Sequence, residues 1–131
     1  MPLTLFKLNF VPGQPTATGH VYDRDEFLKI LGDKIDEGLL VFASVDDIIQ
    51  RQAEKAIGIA RSYLIARDDS IHVEVSLNVL TAEILNRLEY APEITTYGLG
   101  EVEGERNAVS NFELHGLLIQ IPLYSPIIEK G

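Results

Sequence analysis

The sequence lacks cysteine and tryptophan and contains a single methionine. Without cysteine there are no disulfide bonds, no thiolate nucleophiles and none of the usual thiolate zinc sites, which fits a protein assembled in a reducing cytosol. One methionine is too few for a methionine-rich, adaptable binding groove. These absences exclude several kinds of site but do not indicate a function.

Positive charge is scarce, and long apolar runs are missing. Eleven lysine and arginine residues stand against twenty aspartate and glutamate residues, which gives a formal net charge of −9. A surface of this sign repels polyanions, so we expect no nucleic-acid partner. The longest apolar stretch, residues 117–123, contains Gln120 and Pro122 and is far shorter than a membrane span of about 18 residues. We therefore expect neither a membrane partner nor a secretory signal.

The length and the apolar content are those of a folded domain. The chain has 131 residues, of which 46% are hydrophobic, enough to bury a single core but too few for two. We therefore expect a single domain over residues 1–131.

Two helices are predicted from capping residues and apolar periodicity. Asp23 is a good N-cap, Glu26 lies where a capping box has its carboxylate, and Gly38 is placed to end this helix in the left-handed conformation. A second helix is predicted to begin with Thr81 as its N-cap and to stop before Pro92. Apolar residues at helical spacing predict the inward faces: Phe27, Ile30, Leu31 and Ile35 in the first helix, and Ile84, Leu85 and Leu88 in the second.

The other segments predict mainly strands, among which a hairpin gives the clearest pattern. Asp68-Asp69 predicts a turn after a strand at 57–67. The strand after this turn alternates polar residues with apolar ones that predict a buried face: Ile71, Val73, Val75, Leu77 and Val79. Further strands are predicted at 3–10, 39–43, 94–102 and 112–123, with a short helix within 44–55 capped by Ser44 or Asp46. This order predicts an α+β fold, a mostly antiparallel β-sheet or small β-barrel with two to three flanking helices.

No segment carries a strong catalytic or cofactor signature. Gly98-Leu99-Gly100 lacks the third glycine of a phosphate loop and does not open a helix, so a bent or bulged strand is favoured. The three glutamates within 101–105 would lie side by side on a strand, which favours a solubilising hairpin tip over a calcium site. His72 and Glu74 share one side of a strand but lack a third metal ligand, so we interpret them as a solvated pair. We expect no metal and no cofactor.

The remaining candidates are two histidines and a pair of threonines. His20 lies in the loop before the first helix, and His115 lies in an apolar strand, where a hydrogen-bonded or edge histidine is favoured. Thr95 and Thr96 offer hydroxyl nucleophiles only if a base approaches them from elsewhere in the chain.

Taken in order, these motifs resemble the prohead core proteases of tailed phages, a family that shares its fold with the herpesvirus maturation proteases. Segment 18–28 is similar to the family's asparagine-glycine-arginine-isoleucine-tyrosine-proline segment, and segment 94–100 to the strand that bears its serine. The resemblance implies a prohead-protease-like fold over residues 18 to 125. The segments that carry it are 18–28, 38–41, 68–75, 81–88, 94–100 and 109–114.

The resemblance also implies catalytic residues that this sequence does not have. The family's strand after the first helix ends near a catalytic histidine in a leucine-aspartate-histidine-proline setting, whereas the corresponding segment 42–47 contains no histidine. Thr95-Thr96 replaces the family's serine pair, and Tyr97 replaces the arginine that follows it. The extra methyl group of threonine restricts its rotamers, and without a base its hydroxyl is a weak nucleophile. We therefore predict no catalytic residues; if the chain is active, Thr95 and Thr96 are the candidates.

These observations predict a non-catalytic structural protein of a tailed-phage virion, within that class a capsid decoration or cement protein. We expect its partner to be the major capsid protein or another virion protein, and we expect it to form a homo-oligomer. We expect it in the virion, after assembly in the host bacterial cytoplasm. The alternatives are a prohead maturation protease with a threonine nucleophile, an internal scaffold or core protein of the prohead, and an unrelated acidic binding module.

Overall fold

A curled seven-stranded sheet forms the frame of the protein in a computed structural model that describes residues 3–88 and 92–119. The strands are β1 (Leu3–Lys7), β2 (Val21–Tyr22), β3 (Leu40–Phe42), β4 (Gly58–Ile65), β5 (Ile71–Leu77), β6 (Ile94–Glu103) and β7 (Ala108–Ile119). The helices are α1 (Arg24–Glu37), α2 (Val45–Ile49) and α3 (Val79–Asn86), with a 3-10 turn at Ala53–Lys55.

The sheet has the strand order β1-β5-β4-β3-β7-β2, and β6 pairs with β7. The pairs β1–β5, β4–β5, β3–β4 and β6–β7 are antiparallel, whereas β7 lies parallel to β2 and β3. An isolated bridge between Leu8 and Ile94 connects the end of β1 to the start of β6, so the sheet curls back towards itself as a half-barrel. The predicted α+β fold with a mostly antiparallel sheet is confirmed.

The first helix begins and ends where the sequence predicts. The Asp23 carboxylate accepts a hydrogen bond from the Glu26 N–H at 2.9 Å. At the other end Gly38 adopts a φ of 98°, and its N–H donates to the carbonyl of Ile35. Phe27 and Leu31 of α1 are buried in the core. The predicted N-cap, C-terminal glycine and apolar stripe of α1 are confirmed.

The hairpin of β4 and β5 is also confirmed, apart from the end of its apolar pattern. Ile71, Val73, Val75 and Leu77 are fully buried, as their alternation predicts. Val79 was expected on the same buried face, and this is wrong. It is the first residue of α3 and is 63% exposed, because the strand ends at Leu77 and the chain turns into the helix.

The predicted cap of α3 is wrong as well. Asn78 is the N-cap, and its side-chain oxygen accepts a hydrogen bond from the Thr81 N–H at 2.8 Å. Thr81 is therefore the third residue of the helix and is buried. The strand runs to Leu77, so the first residue able to cap the helix is Asn78, and asparagine is as good an N-cap as threonine.

Other boundaries differ by a few residues. The strand expected at 3–10 ends at Lys7, and the helix expected within 44–55 is divided into α2 and the 3-10 turn. The strand expected at 112–123 begins earlier, at Ala108, and residues 120–123 lie outside the described part. β2 is not predictable from the sequence, since its two residues form no recognisable pattern. Within the described ranges, no helix is both long and apolar enough to cross a membrane.

Candidate active site

Thr95 and Thr96 lie near the start of β6, on opposite faces of the sheet. In the register of β6 with β7, Thr95 is opposite Leu118 and Thr96 is opposite Leu117. Side chains alternate along a strand, so Thr96 shares a face with Ile94, which belongs to the main core. Thr95 lies on the other face. The two threonines therefore have different neighbours.

The face of Thr95 is apolar. In the parallel pairing of β3 with β7, Phe42 is opposite Leu118, so Phe42, Leu118 and Thr95 form one row across three adjacent strands. Phe42 and Leu118 are 4% and 7% exposed, and Ile48 of α2 packs against them. Tyr97 adds to the same cluster. Neither neighbour of Thr95 in this row can accept a proton.

A pocket of about 210 Å³ lies at the start of β6 and brings a histidine into the neighbourhood of the threonines. The pocket is lined by Thr95 and Thr96 on one side and by the loop that contains His20 on the other. The hydrogen bond from the Asn9 N–H to the Ile94 carbonyl, 2.9 Å, fixes the start of this loop beside β6. Nothing in the sequence indicates that His20 lies beside Thr95 and Thr96, since only the curl of the sheet places its loop next to β6.

His20 forms its hydrogen bonds within its own loop. Its Nδ1 lies 3.4 Å from the Thr18 hydroxyl, and its backbone N–H donates to the Thr16 hydroxyl at 3.2 Å. The Thr16 and Thr18 hydroxyls are 3.1 Å apart. Within residues 3–88 and 92–119, no hydrogen bond joins His20 to Thr95 or Thr96. The pocket is therefore lined by a possible base and two threonines without the nucleophile–base contact of an activated pair.

Aromatic rings form the floor of this pocket. Phe10 and Tyr22 stack at a centroid distance of 5.2 Å, and Phe27 and Phe112 form T-shaped contacts with the Tyr22 ring at 5.4 and 5.1 Å. Burial raises the pKa of Tyr22, so its phenol is protonated near neutral pH and supplies no base.

A serine, a histidine and an aspartate meet at the turn between β4 and β5, but not in the order of a catalytic triad. The Ser70 hydroxyl donates to Asp68 at 2.6 Å and lies 3.1 Å from Nε2 of His72. In a triad the aspartate orients the histidine, whereas here it binds the serine. Ser70 is also only 3% exposed. This cluster stabilises a turn. His72 contacts Ser70, whereas Glu74 accepts a hydrogen bond from Ser62, so His72 and Glu74 have different partners.

His115 is hydrogen-bonded, as expected, and lies at a second cleft. Its Nε2 is 2.7 Å from Oε1 of Glu113, and this hydrogen bond lowers the pKa of Glu113. Both residues line a cleft of about 360 Å³, with Lys34 and Arg51 at its rim and Phe42 among its apolar lining. Its charged rim carries both signs, so the cleft selects no single ligand charge.

Carboxylates do not converge anywhere in the described part of the chain. Among residues 3–88 and 92–119, no group of three histidine, aspartate or glutamate side chains is placed to hold a metal ion. Glu101 and Glu103 lie in β6, and Glu105 lies in the turn that follows.

Comparison with known proteins shows which known structure has a similar fold. The chain matches no family model and no curated protein sequence. Its structure is similar to that of the bacteriophage T4 capsid assembly protease, gp21, with a TM-score of 0.64 and 17% sequence identity over 90% of this chain and 80% of that one. At this identity the likeness establishes the fold alone. The chain has the mixed α+β, half-barrel fold of a prohead protease.

Proposed function

We propose that this chain is a non-catalytic structural protein of a tailed-phage particle, and within that class a capsid decoration or cement protein. Its fold is similar to that of a capsid assembly protease, which supports an origin in the phage capsid machinery. A fold hosts different functions according to the site it carries, so the site decides between structural and catalytic roles.

The row Phe42–Leu118–Thr95 is the observation that carries the proposal. The resemblance to prohead proteases implies a catalytic histidine within the segment 42–47. The strand register aligns Phe42, the first residue of this segment, with Thr95. A general base must lie within hydrogen-bonding reach, about 3 Å, of the hydroxyl that it deprotonates. In this chain, the residues aligned with Thr95 in the row are a buried leucine and a buried phenylalanine, and neither can act as a base. Packing on this face therefore replaces catalytic chemistry.

Charge supports a role on a particle rather than on nucleic acid. A net charge of −9 keeps free copies soluble and repels DNA inside a capsid. The proposed partner is therefore the major capsid protein or another virion protein, and repetition on a symmetric lattice favours a homo-oligomer.

The pocket beside β6 supports a second candidate, a prohead protease with a threonine nucleophile. His20, Thr95 and Thr96 line one cavity, and apo active sites often have looser contacts than their substrate complexes. In that case the His20 imidazole takes the proton of a threonine hydroxyl as it attacks a peptide carbonyl, and later returns it to the leaving amine.

A cleavage assay separates the two candidates. The purified chain is incubated with the precursor of the major capsid protein and with scaffold-derived peptides, and products are identified by mass spectrometry. We expect no cleavage, and no difference between the wild-type chain and the variants Thr95→Ala, Thr96→Ala and His20→Ala. Thr4→Ala in β1 is the matched threonine control. Cleavage that His20→Ala and one of the site threonine variants abolish, while Thr4→Ala retains it, would establish the protease.

A further inference from the structure

Beyond the first residues of β6, one edge of this strand is open in the described structure. β6 pairs with β7 along its length, and its other side is joined to the remainder of the described chain by the bridge between Leu8 and Ile94. The strand then continues past the pocket into an exposed hairpin arm, residues 98–110.

The orientation of Ile94 tells which backbone groups face this open edge. Its carbonyl accepts a hydrogen bond from Asn9, so it points away from β7. In an antiparallel pair, the N–H and C=O of a residue point to the same side, and successive residues alternate. The first register shift skips His115 of β7, and the second skips Asn111 and Phe112 of β7 against Gly100 alone of β6. Each shift thus adds one residue to β7 and none to β6, so this alternation continues along β6. Gly98, Gly100 and Val102 therefore present their N–H and C=O groups to the open edge.

We propose that the open edge of β6 binds an extended, positively charged polypeptide segment of another protein as an added antiparallel or parallel strand. A row of alternating donors and acceptors is satisfied in full only by another extended backbone. Gly100 lacks a side chain and Val102 is 48% exposed, so a second backbone can approach this part of the edge. The surface exists whether or not the chain cleaves peptide bonds.

The charge of the arm selects the partner. Glu101, Glu103 and Glu105 are exposed on the arm, where Arg106 is the basic side chain between residues 98 and 110. Two copies paired through this edge would bring these carboxylates together, which opposes self-association. A strand with lysine or arginine at alternate positions would instead place cations opposite them. Exposed Val102, on the other face of the strand, provides apolar contact for the residues between these cations.

The probe for this surface is a labelled nine-residue peptide of alternating lysine and valine, and binding is followed by fluorescence anisotropy. Two control peptides replace every lysine by glutamate or every valine by proline. We expect the lysine–valine peptide to bind at least tenfold more tightly than either control, and its binding to weaken as salt is added.

Edge variants locate the site. Val102→Pro removes an N–H at the open edge without removing a hydrogen bond to β7, and Val102→Thr is the matched control that keeps it. We expect proline to weaken peptide binding about tenfold and threonine to weaken it less than threefold, since the loss of a donor and the proline ring together cost about 1.4 kcal/mol. A second pair needs no backbone change: Glu103→Lys weakens binding about fivefold, whereas Glu83→Lys on the exposed side of α3 does not.

Hydrogen exchange shows whether the peptide, a second copy or the chain itself covers the open edge of β6. The Gly98, Gly100 and Val102 amides should exchange rapidly in the free full-length chain and slowly with the peptide bound, while the Leu99 and Glu101 amides change little. Equal binding by the Val102→Pro and Val102→Thr variants, or by all three peptides, would overturn the proposal. Protection of the three edge amides in the free chain would also overturn it, because the edge would then already be covered. Protection that rises with protein concentration would indicate a second copy at the edge, and protection independent of concentration would indicate the chain itself.

Discussion

Asp68 shows at the scale of single residues how a short polar cluster holds the hairpin. Its carboxylate accepts hydrogen bonds from the Ser70 hydroxyl, at 2.6 Å, and from the Ser70 N–H, at 3.0 Å. These bonds lower the pKa of Asp68 in the folded chain, with the bond from the Ser70 hydroxyl as the largest cause. The sequence predicted the turn from its two aspartates. It did not predict that a buried serine would join Asp68 to His72, because that contact depends on the exact register of the hairpin.

We predict that Asp68 stabilises the fold at neutral pH and loses this effect in acid. A carboxyl whose pKa is lower in the folded chain adds stability above its unfolded pKa, and this stability is lost as the pH falls through the folded pKa. The free energy of unfolding of Asp68→Asn should therefore be lower than wild type at pH 6 and approach it below pH 3.8, the ordinary pKa of aspartate. Urea denaturation at several pH values measures the difference. Asp36→Asn on α1 is the control, and an equal wild-type-to-variant gap at all pH values would contradict the prediction.

At the scale of the elements, local sequence patterns predict irregular strands and helix ends to different degrees. Gly98-Leu99-Gly100 was interpreted as a bent or bulged strand, and the pairing with β7 shifts register beside both glycines. α1 was predicted because its cap and apolar stripe are local signals. The cap of α3 was missed because Asn78 and Thr81 both suit an N-cap, and only the end of β5 decides between them.

Gly98 is required by packing rather than by backbone conformation. A Cβ atom at this position would collide with the Glu113 carbonyl and lie 2.9 Å from the Phe112 ring. We predict that Gly98→Ala lowers the free energy of unfolding by about 3 kcal/mol. Gly104→Ala, at the tip of the arm with a φ of +73° and no atom within 4 Å, should cost only about 1 kcal/mol of backbone strain. Thermal or urea unfolding measures both, and equal losses would show that the collision is relieved by movement of β7.

At the scale of the whole molecule, the prohead-protease-like fold carries apolar packing on the face of Thr95. That segment 42–47 contains no histidine could be read from the sequence. The alignment of Phe42, Leu118 and Thr95 could not, because it depends on the parallel register between β3 and β7, which are far apart in the chain. The same long-range closure brings the loop of His20 to Thr95 and Thr96. Local patterns thus predict elements, whereas the site is made by pairings between distant segments.

Quantitative mass spectrometry of purified mature particles tests the central claim most directly. A capsid decoration protein must persist, intact, at a copy number fixed by the capsid lattice, and this number should be the same for the wild-type chain and for Thr95→Ala and Thr96→Ala. Absence from mature particles would instead indicate an internal scaffold or core protein. Uncleaved capsid precursors that accumulate in the threonine variants would indicate a protease, and either result would contradict the account.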